Sequence, residues 1–297
     1  MNRNRLGVAL GFIVLSTVFF GPLVQACTKL VSGEFPLVQI IWLRAAGYMI
    51  WMLIFFWRGH GLRMFSTQHL GIQLARSSLL FLSSILWILA IPSVSLATAG
   101  IIGFTAPIMV VMLSVPLLGE RVGIHRWAAV LTGFAGALLV LRPGSTGLGI
   151  ETLLLFGTAA SFALYQILTR RISHTDSAAA NATYTIIVQL LVTSVLLPFD
   201  FRLPSADETS AWLAFSGLFF LGGFRHFFIV KAYEYAPASF ISPFFYMELV
   251  GVTAMGLLIF GEFPDAWTWT GGGIIMLSGL YIAHREALNR RNAGPSS

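Results

Sequence analysis

The chain has 297 residues, of which 57% are hydrophobic and only 10% charged, and its mean hydropathy is +0.82. A soluble domain usually carries about 25% charged residues, so this chain lacks the polar groups to cover a water-facing surface. Cytosolic enzymes, nucleic-acid binders and disordered chains are thereby excluded, and a polytopic membrane protein remains. The net charge of +6 comes from basic residues beside apolar runs, which is a membrane-topology pattern and not a nucleic-acid footprint. The single cysteine, Cys27, excludes an intrachain disulfide and a cysteine metal site. The two lysines, Lys29 and Lys231, follow no phosphate-loop pattern, so no ATP motor is written in the chain.

A transmembrane helix needs about 20 apolar residues. In chain order the sequence predicts ten: Leu6–Thr28, Leu37–Trp57, Leu70–Ile91, Leu96–Leu118, Ile124–Leu141, Ile150–Thr169, Ala178–Leu197, Ala211–Val230, Pro237–Phe260 and Ala266–His284. The runs are continuously apolar rather than alternating, so helices are expected and a β-barrel is not. Arg3 and Arg5 ahead of Val24-Gln25-Ala26-Cys27 imitate a lipoprotein signal. Gln25 fits such a cleavage site poorly and Gly21-Pro22 interrupts the run, so the segment reads as the first helix. Counting Lys and Arg on alternate sides places twelve with the termini (Arg3, Arg5, Arg58, Arg63, Arg121, Arg126, Arg170, Arg171, Lys231, Arg285, Arg290, Arg291) and three opposite (Lys29, Arg142, Arg202). Both termini are therefore expected in the cytoplasm of a cell with this protein in its inner (plasma) membrane.

The chain repeats itself at an offset of 142 residues. Leu118-Gly119-Glu120 matches Phe260-Gly261-Glu262, Trp127 matches Trp269, Ala90 matches Ala232, Gly7 matches Gly149, and basic Lys29 matches Arg171. Each half then holds five helices. Five is odd, so the halves are expected to be inverted, an arrangement that lets a transporter alternate its opening between two sides. The expected architecture is an all-α polytopic membrane protein with ten helices in two inverted five-helix repeats, 1–143 and 144–285, followed by a cytoplasmic tail, 286–297.

Two such halves, each with a fourth helix ending in Gly-Glu and a Trp early in the fifth, resemble the EamA family of the drug/metabolite transporter superfamily. The segments that carry the resemblance are Pro107–Glu120 with Arg126-Trp127, then Gly133, Gly136 and Arg142-Pro143-Gly144, and in the second half Glu248–Glu262. The resemblance implies ten helices, alternating access and a central cavity lined mainly by helices 1, 3, 4, 6, 8 and 9. It does not choose a substrate. Leu249 stands where the first half has Pro107, so a kink in helix 9 is expected earlier, at Pro243.

Ionisable residues inside spans cost about 2.5–3.5 kcal/mol each on insertion scales and call for a reason. Glu248 lies about 16 Å into the ninth span, near mid-membrane. Its own helix offers no polar partner, so it reads either as a proton-coupling or ammonium-binding carboxylate or as half of a structural ion pair. Arg225 and His226 sit deep in the eighth span and point about 100° apart. Arg225 reads as a bidentate clamp for a substrate carboxylate or as a residue snorkelling to the headgroups; His226 is a second candidate proton carrier. Arg76 is expected to snorkel. Arg44 is expected to be structural, with Glu34 the one acid in its adjoining loop.

Neutral candidates on the cavity helices are Gln25, Ser84, Trp87, Ser161, Tyr165, Gln166 and Tyr246. Each of these Ser and Gln residues could equally serve helix–helix bonding. The small-residue stripe Ala129, Gly133 and Ala137 suits a homodimer face or a tight internal contact.

The leading expectation is an inner-membrane exporter of a small carboxylate-bearing metabolite, an amino acid or an amino-acid conjugate such as an opine-type metallophore. Protons are the expected driving ion, and no cofactor, catalytic residue, metal or nucleic acid is expected. The alternatives are uptake of a nucleoside-like or vitamin-like compound and, from another class, a membrane enzyme acting on lipid-linked substrates.

Overall fold

The computed structural model describes residues 3–119, 123–141, 149–172, 175–236 and 241–292. Glu120, Arg121, Arg142-Pro143-Gly144 with the expected repeat boundary, Pro237 at the start of the expected ninth span, and the last five tail residues lie outside the described residues.

Among the described residues the chain forms ten helical runs and no sheet. Helix α1 comprises Arg3–Val14, a π-helical stretch Leu15–Phe20 and Gly21–Val31. Helices α2 (Leu37–His60) and α3 (Leu70–Ala90) follow. Helix α4 is broken into Leu96–Gly103 and Ala106–Leu118. Then come α5 (Ile124–Leu141), α6 (Ile150–Ile172), α7 (Ala178–Leu196) and α8 (Thr209–Tyr235). Helix α9 starts as a 3₁₀ stretch, Ser242–Met247, and continues as Glu248–Phe260; α10 is Ala266–Asn292. Seven runs are long and apolar enough to cross a membrane (α1 to α4 and α6 to α8), while α5 and α9 hold shorter apolar stretches, Trp127–Val140 and Phe244–Phe260. The protein is thus an all-helical polytopic membrane protein.

The irregular stretches follow from the sequence. Pro22 has no N–H, and its ring crowds the carbonyl four residues back, at Val18. The helix widens just before it, with Gly21 N–H reaching the Ser16 carbonyl five residues back. Gly251 of α9 packs against this widened turn so closely that a Cβ there would lie 2.3 Å from the Val18 oxygen. In α4 the break falls at Phe104-Thr105, just ahead of Pro107. In α9 the irregular stretch, Ser242–Met247, includes Pro243, where the sequence leads one to expect a kink, and extends to Met247 at the position equivalent to Thr105. Both helices end alike: Gly119 and Gly261 adopt the left-handed conformation (φ 67° and 68°) that glycine tolerates at a helix C-terminus. This is the physical content of the repeated Gly-Glu.

The major packing partners join one of the first five helices to one of the last five: α3 with α6 and α7, α5 with α10, α8 with α1 and α2, α2 with α7, and α9 with α1 and α4. The α5–α10 contact is backbone on backbone. A Cβ on Gly271 would lie 2.5 Å from the Gly136 carbonyl oxygen, and one on Gly136 would lie 2.8 Å from that of Gly271. The Ser278 hydroxyl donates to the Ala129 carbonyl. The stripe of small residues on α5 therefore serves an internal contact.

Two charged residues depart from expectation. Arg76 does not snorkel. It is 1% exposed and donates to Gln73, Asn181, Tyr165 and Thr185, joining α3 to α6 and α7. Arg44 does not meet Glu34; its Nη2 donates to Ser84 at 2.7 Å. It is Arg202 of the α7–α8 loop that bonds the Glu34 carbonyl, and it also pairs with Glu208 at 2.6 Å.

Beside the Arg76 network, Asp176 accepts from Thr67 at 2.5 Å, the Gln68 N–H at 3.1 Å and Gln73 at 2.8 Å. These bonds tie the α2–α3 connection to the start of α7. Burial alone would raise this carboxyl, but the three hydrogen bonds and the charge of His69 hold it below its ordinary value of 3.8. A depressed folded-state value means that the stabilisation is complete above the ordinary carboxyl range and is lost as pH falls through the folded-state value. Asp176→Asn should cost about 1–3 kcal/mol at neutral pH. In detergent thermal unfolding, the gap between wild type and variant should persist at pH 5 and close only below about pH 3.8.

Candidate functional site

Three helices converge on one carboxylate. Glu248 is the first residue of the α-helical part of α9, where the helix dipole favours negative charge. Its Oε2 accepts from Arg225 Nη2 of α8 at 2.8 Å, and its Oε1 accepts from Gln25 Nε2 of α1 at 2.6 Å. Arg225 lies about 24 Å along α8 from Thr209, deep in an apolar helix. The two side chains are 29% and 13% exposed, so the pair is shielded yet retains accessible surface.

The widened turn of α1 makes this contact fit. Gly21 sits against both groups, and a Cβ there would lie 3.0 Å from Arg225 Cζ and 3.0 Å from Glu248 Oε1. Ser16, within the turn, donates to the Arg225 carbonyl at 3.1 Å and fixes α8 against α1. Gln25 Oε1 is buried without a partner, so the amide spends its donor on Glu248 and leaves its acceptor unused.

The other candidates from the sequence fall elsewhere. His226 turns away from Glu248, as its 100° offset requires, and its ring lies 5.0 Å from that of Tyr48 on α2. Ser84 accepts from Arg44 and donates its own hydroxyl to the Leu80 carbonyl. Trp87 packs into the apolar clusters on both sides of α3. Tyr165 accepts from Arg76 at 3.2 Å, with the guanidinium 5.0 Å from its ring centre. Gln166 is half-buried on α6 and Ser161 is buried there. The Tyr246 ring lies tilted against that of Phe104, 5.1 Å between centroids, and fills the space left by Gly279 of α10. The structure therefore brings together Gln25, Arg225 and Glu248, and disperses the rest.

One pair went unnoticed in the sequence. Lys29, at the far end of α1, bonds Glu262 at 2.5 Å and the Val94 carbonyl at 2.8 Å, with the Phe260 ring beneath it at 4.9 Å. Glu262 also accepts from the Leu96 N–H at 3.3 Å. The left-handed Gly261 turns the chain so that Glu262 can point back at α1. The repeat offset held the signal, since it singles out both Lys29 and Glu262.

Among the described residues no cluster of three or more His, Cys, Asp or Glu side chains forms a metal-type donor set. The chemistry the central cluster offers is ion pairing, hydrogen bonding and proton exchange. Removing one member of a buried pair strands the other, at a cost of about 3–5 kcal/mol, whereas replacing both by apolar groups of similar size is often neutral. Glu248→Leu should lower the unfolding temperature in detergent sharply, and adding Arg225→Leu should recover most of the loss. An additive double variant would show that the contact is energetically idle.

Comparison with known proteins agrees with this picture. The model of the EamA-like transporter family matches residues 7–142 and again 149–283. A riboflavin transporter of Vibrio cholerae is 31% identical over 76% of this chain and 75% of its own. An S-adenosylmethionine uptake transporter of Rickettsia prowazekii is 29% identical over 76% of each. A pseudopaline exporter of Pseudomonas aeruginosa is 28% identical over 92% of this chain and 95% of its own. A solved crystal structure matches with a TM-score of 0.59 at 17% identity, over 96% of this chain and 99% of that one, which speaks to the fold alone. With two family matches that together span nearly the whole described chain, this protein belongs to the EamA-like transporter family and is a membrane transporter.

Proposed function

We propose that the protein is a secondary transporter of the bacterial inner membrane that exports a small carboxylate-bearing metabolite, an amino acid or an amino-acid conjugate, by alternating access. The observation that carries this reading is the Gln25–Arg225–Glu248 cluster, a partly accessible ion pair joining α1 of one half to α8 and α9 of the other. Such a pair can open to admit a proton to the carboxylate as the halves move. The two halves are 1–143 and 144–285, with ten crossings, opposite orientations and both termini cytoplasmic. The Lys29–Glu262 contact then belongs to the outer end, where it ties α1 to α9 and the start of α4. Closed there, the transporter would present its cluster to the cytoplasm.

A second reading is uptake of a vitamin-like or nucleoside-like compound, favoured by the relatives that carry riboflavin and S-adenosylmethionine. The two readings overlap in chemistry, because S-adenosylmethionine is an amino-acid conjugate of a nucleoside. A gradient sets the direction of a reversible carrier, so direction is a matter for flux measurement.

Reporter fusions test the topology. Fusions after Arg63, Arg126 and Arg171 should report cytoplasm, and fusions near Gly144 and Asp207 the opposite side; an external signal at Arg126 would sink the ten-crossing arrangement. Proteoliposomes test the mechanism. Flux of S-adenosylmethionine, riboflavin and amino-acid conjugates should be saturable for one class and should respond to a pH gradient. Glu248→Gln keeps a carbonyl acceptor for Arg225 but cannot carry a proton. It should abolish gradient-driven flux and spare exchange of substrate across the membrane. Normal gradient-driven flux in this variant would remove Glu248 from the coupling.

A further inference from the structure

We infer that Arg44, rather than Arg225, is the residue that recognises the anionic group of the ligand, and that this group is a carboxylate. The inference deepens the transport reading and rests on its premise that a small metabolite enters the bundle between the halves.

Three arginines lie within the spans, and their surroundings differ. Arg225 is neutralised by Glu248 at 2.8 Å. Arg76 is sealed among oxygen acceptors from α3, α6 and α7, and even its Nε is buried beyond the reach of a ligand. Arg44 has one hydrogen-bond partner among the described residues, the Ser84 hydroxyl at 2.7 Å, and no carboxylate within ion-pair distance. A guanidinium has five donors, so most of its capacity is unspent.

Arg44's remaining nitrogens are not among the buried, unpartnered atoms, and the side chain is only half-buried. They therefore open onto accessible space. That space lies on the bundle side of α2, because Arg44 reaches Ser84 of α3 and its neighbours on the same helix pack against α8. Three residues further along α2, Gly47 abuts the Phe219 backbone of α8; one turn along, Tyr48 faces His226 of α8. An uncompensated guanidinium inside an apolar bundle is costly. A carboxylate meets it with two parallel hydrogen bonds, and the Tyr48–His226 ring pair one turn along α2 offers an aromatic surface for an apolar body behind that carboxylate.

The inference is tested by binding alone, without knowledge of the substrate. Purified protein in lipid-free neutral detergent is heated with sodium benzoate, with benzamide as its neutral isostere, and with sodium chloride and sodium phosphate at equal ionic strength. Benzoate should raise the wild-type unfolding temperature by about 2–4 °C once it is well above its dissociation constant, while benzamide, chloride and phosphate should not. Arg44→Gln should abolish the benzoate response. Arg44→Lys, which keeps the charge but not the planar fork, should retain a smaller one, and it serves if the Gln variant does not fold. The inference is overturned if wild type shows no benzoate response, if benzamide or phosphate does as well, if Arg44→Gln responds like wild type, or if Arg44→Lys responds in full. Proteoliposome flux is a separate readout. A benzoate response that depends on Arg44 in a protein without flux would leave this assignment standing and sink the transport reading.

Discussion

An apolar bundle cannot leave a charge alone, and the architecture of this protein is organised around that constraint. Glu248 stands in a helix with no polar neighbour on its own face, so its partners have to come from other helices. They come from α8 and α1, through Arg225 at 2.8 Å and Gln25 at 2.6 Å. Bringing three helices to one point requires α1 to approach more closely than a regular helix with a side chain at position 21 would allow. Pro22 supplies the widened turn and Gly21 the missing Cβ. The local irregularity and the ion pair are two aspects of one contact.

The same constraint separates the three intramembrane arginines into different roles. Arg76 is held at both Nη atoms by neutral acceptors and anchors α3 to α6 and α7. Arg225 is satisfied by an acid, in a contact that can break because both partners keep some exposure. Arg44 has one neutral acceptor, the Ser84 hydroxyl, and its remaining nitrogens are not among the buried unpartnered atoms. A rigid anchor, a breakable pair and an open donor set are different physical states of one side-chain type. Only the open set has donors left for a group from outside the chain.

The two ends of the bundle are held differently from its centre. At one end Lys29 and Glu262 join α1 to α9, and the left-handed Gly261 makes the geometry attainable. At the other, Asp176 gathers donors from the α2–α3 connection. Between them, α5 and α10 touch backbone to backbone through Gly136 and Gly271, a contact that leaves no room for relative sliding without losing van der Waals packing.

Much of this was legible in the sequence. Low charge and long apolar runs determine a helical membrane protein, because lipid leaves backbone groups no other way to be satisfied. The 142-residue offset, with its Gly-Glu and Trp, points to a duplicated five-helix unit and to the family. The sequence also names the costly residues, Glu248, Arg225, Arg76 and Arg44, since an ionisable group inside a span stands out against its neighbours. It does not say how they pair. Helical periodicity fixes which face of a helix a residue occupies, but not which of nine other helices lies opposite. Gln25 and Glu248 are 223 residues apart. Arg44 found Ser84 on α3 instead of Glu34 in its own loop, and Arg76 found α6 and α7 instead of the membrane surface. Those outcomes belong to tertiary packing, because the stability of a buried charge depends on every atom that surrounds it, and those atoms come from helices distant in the chain.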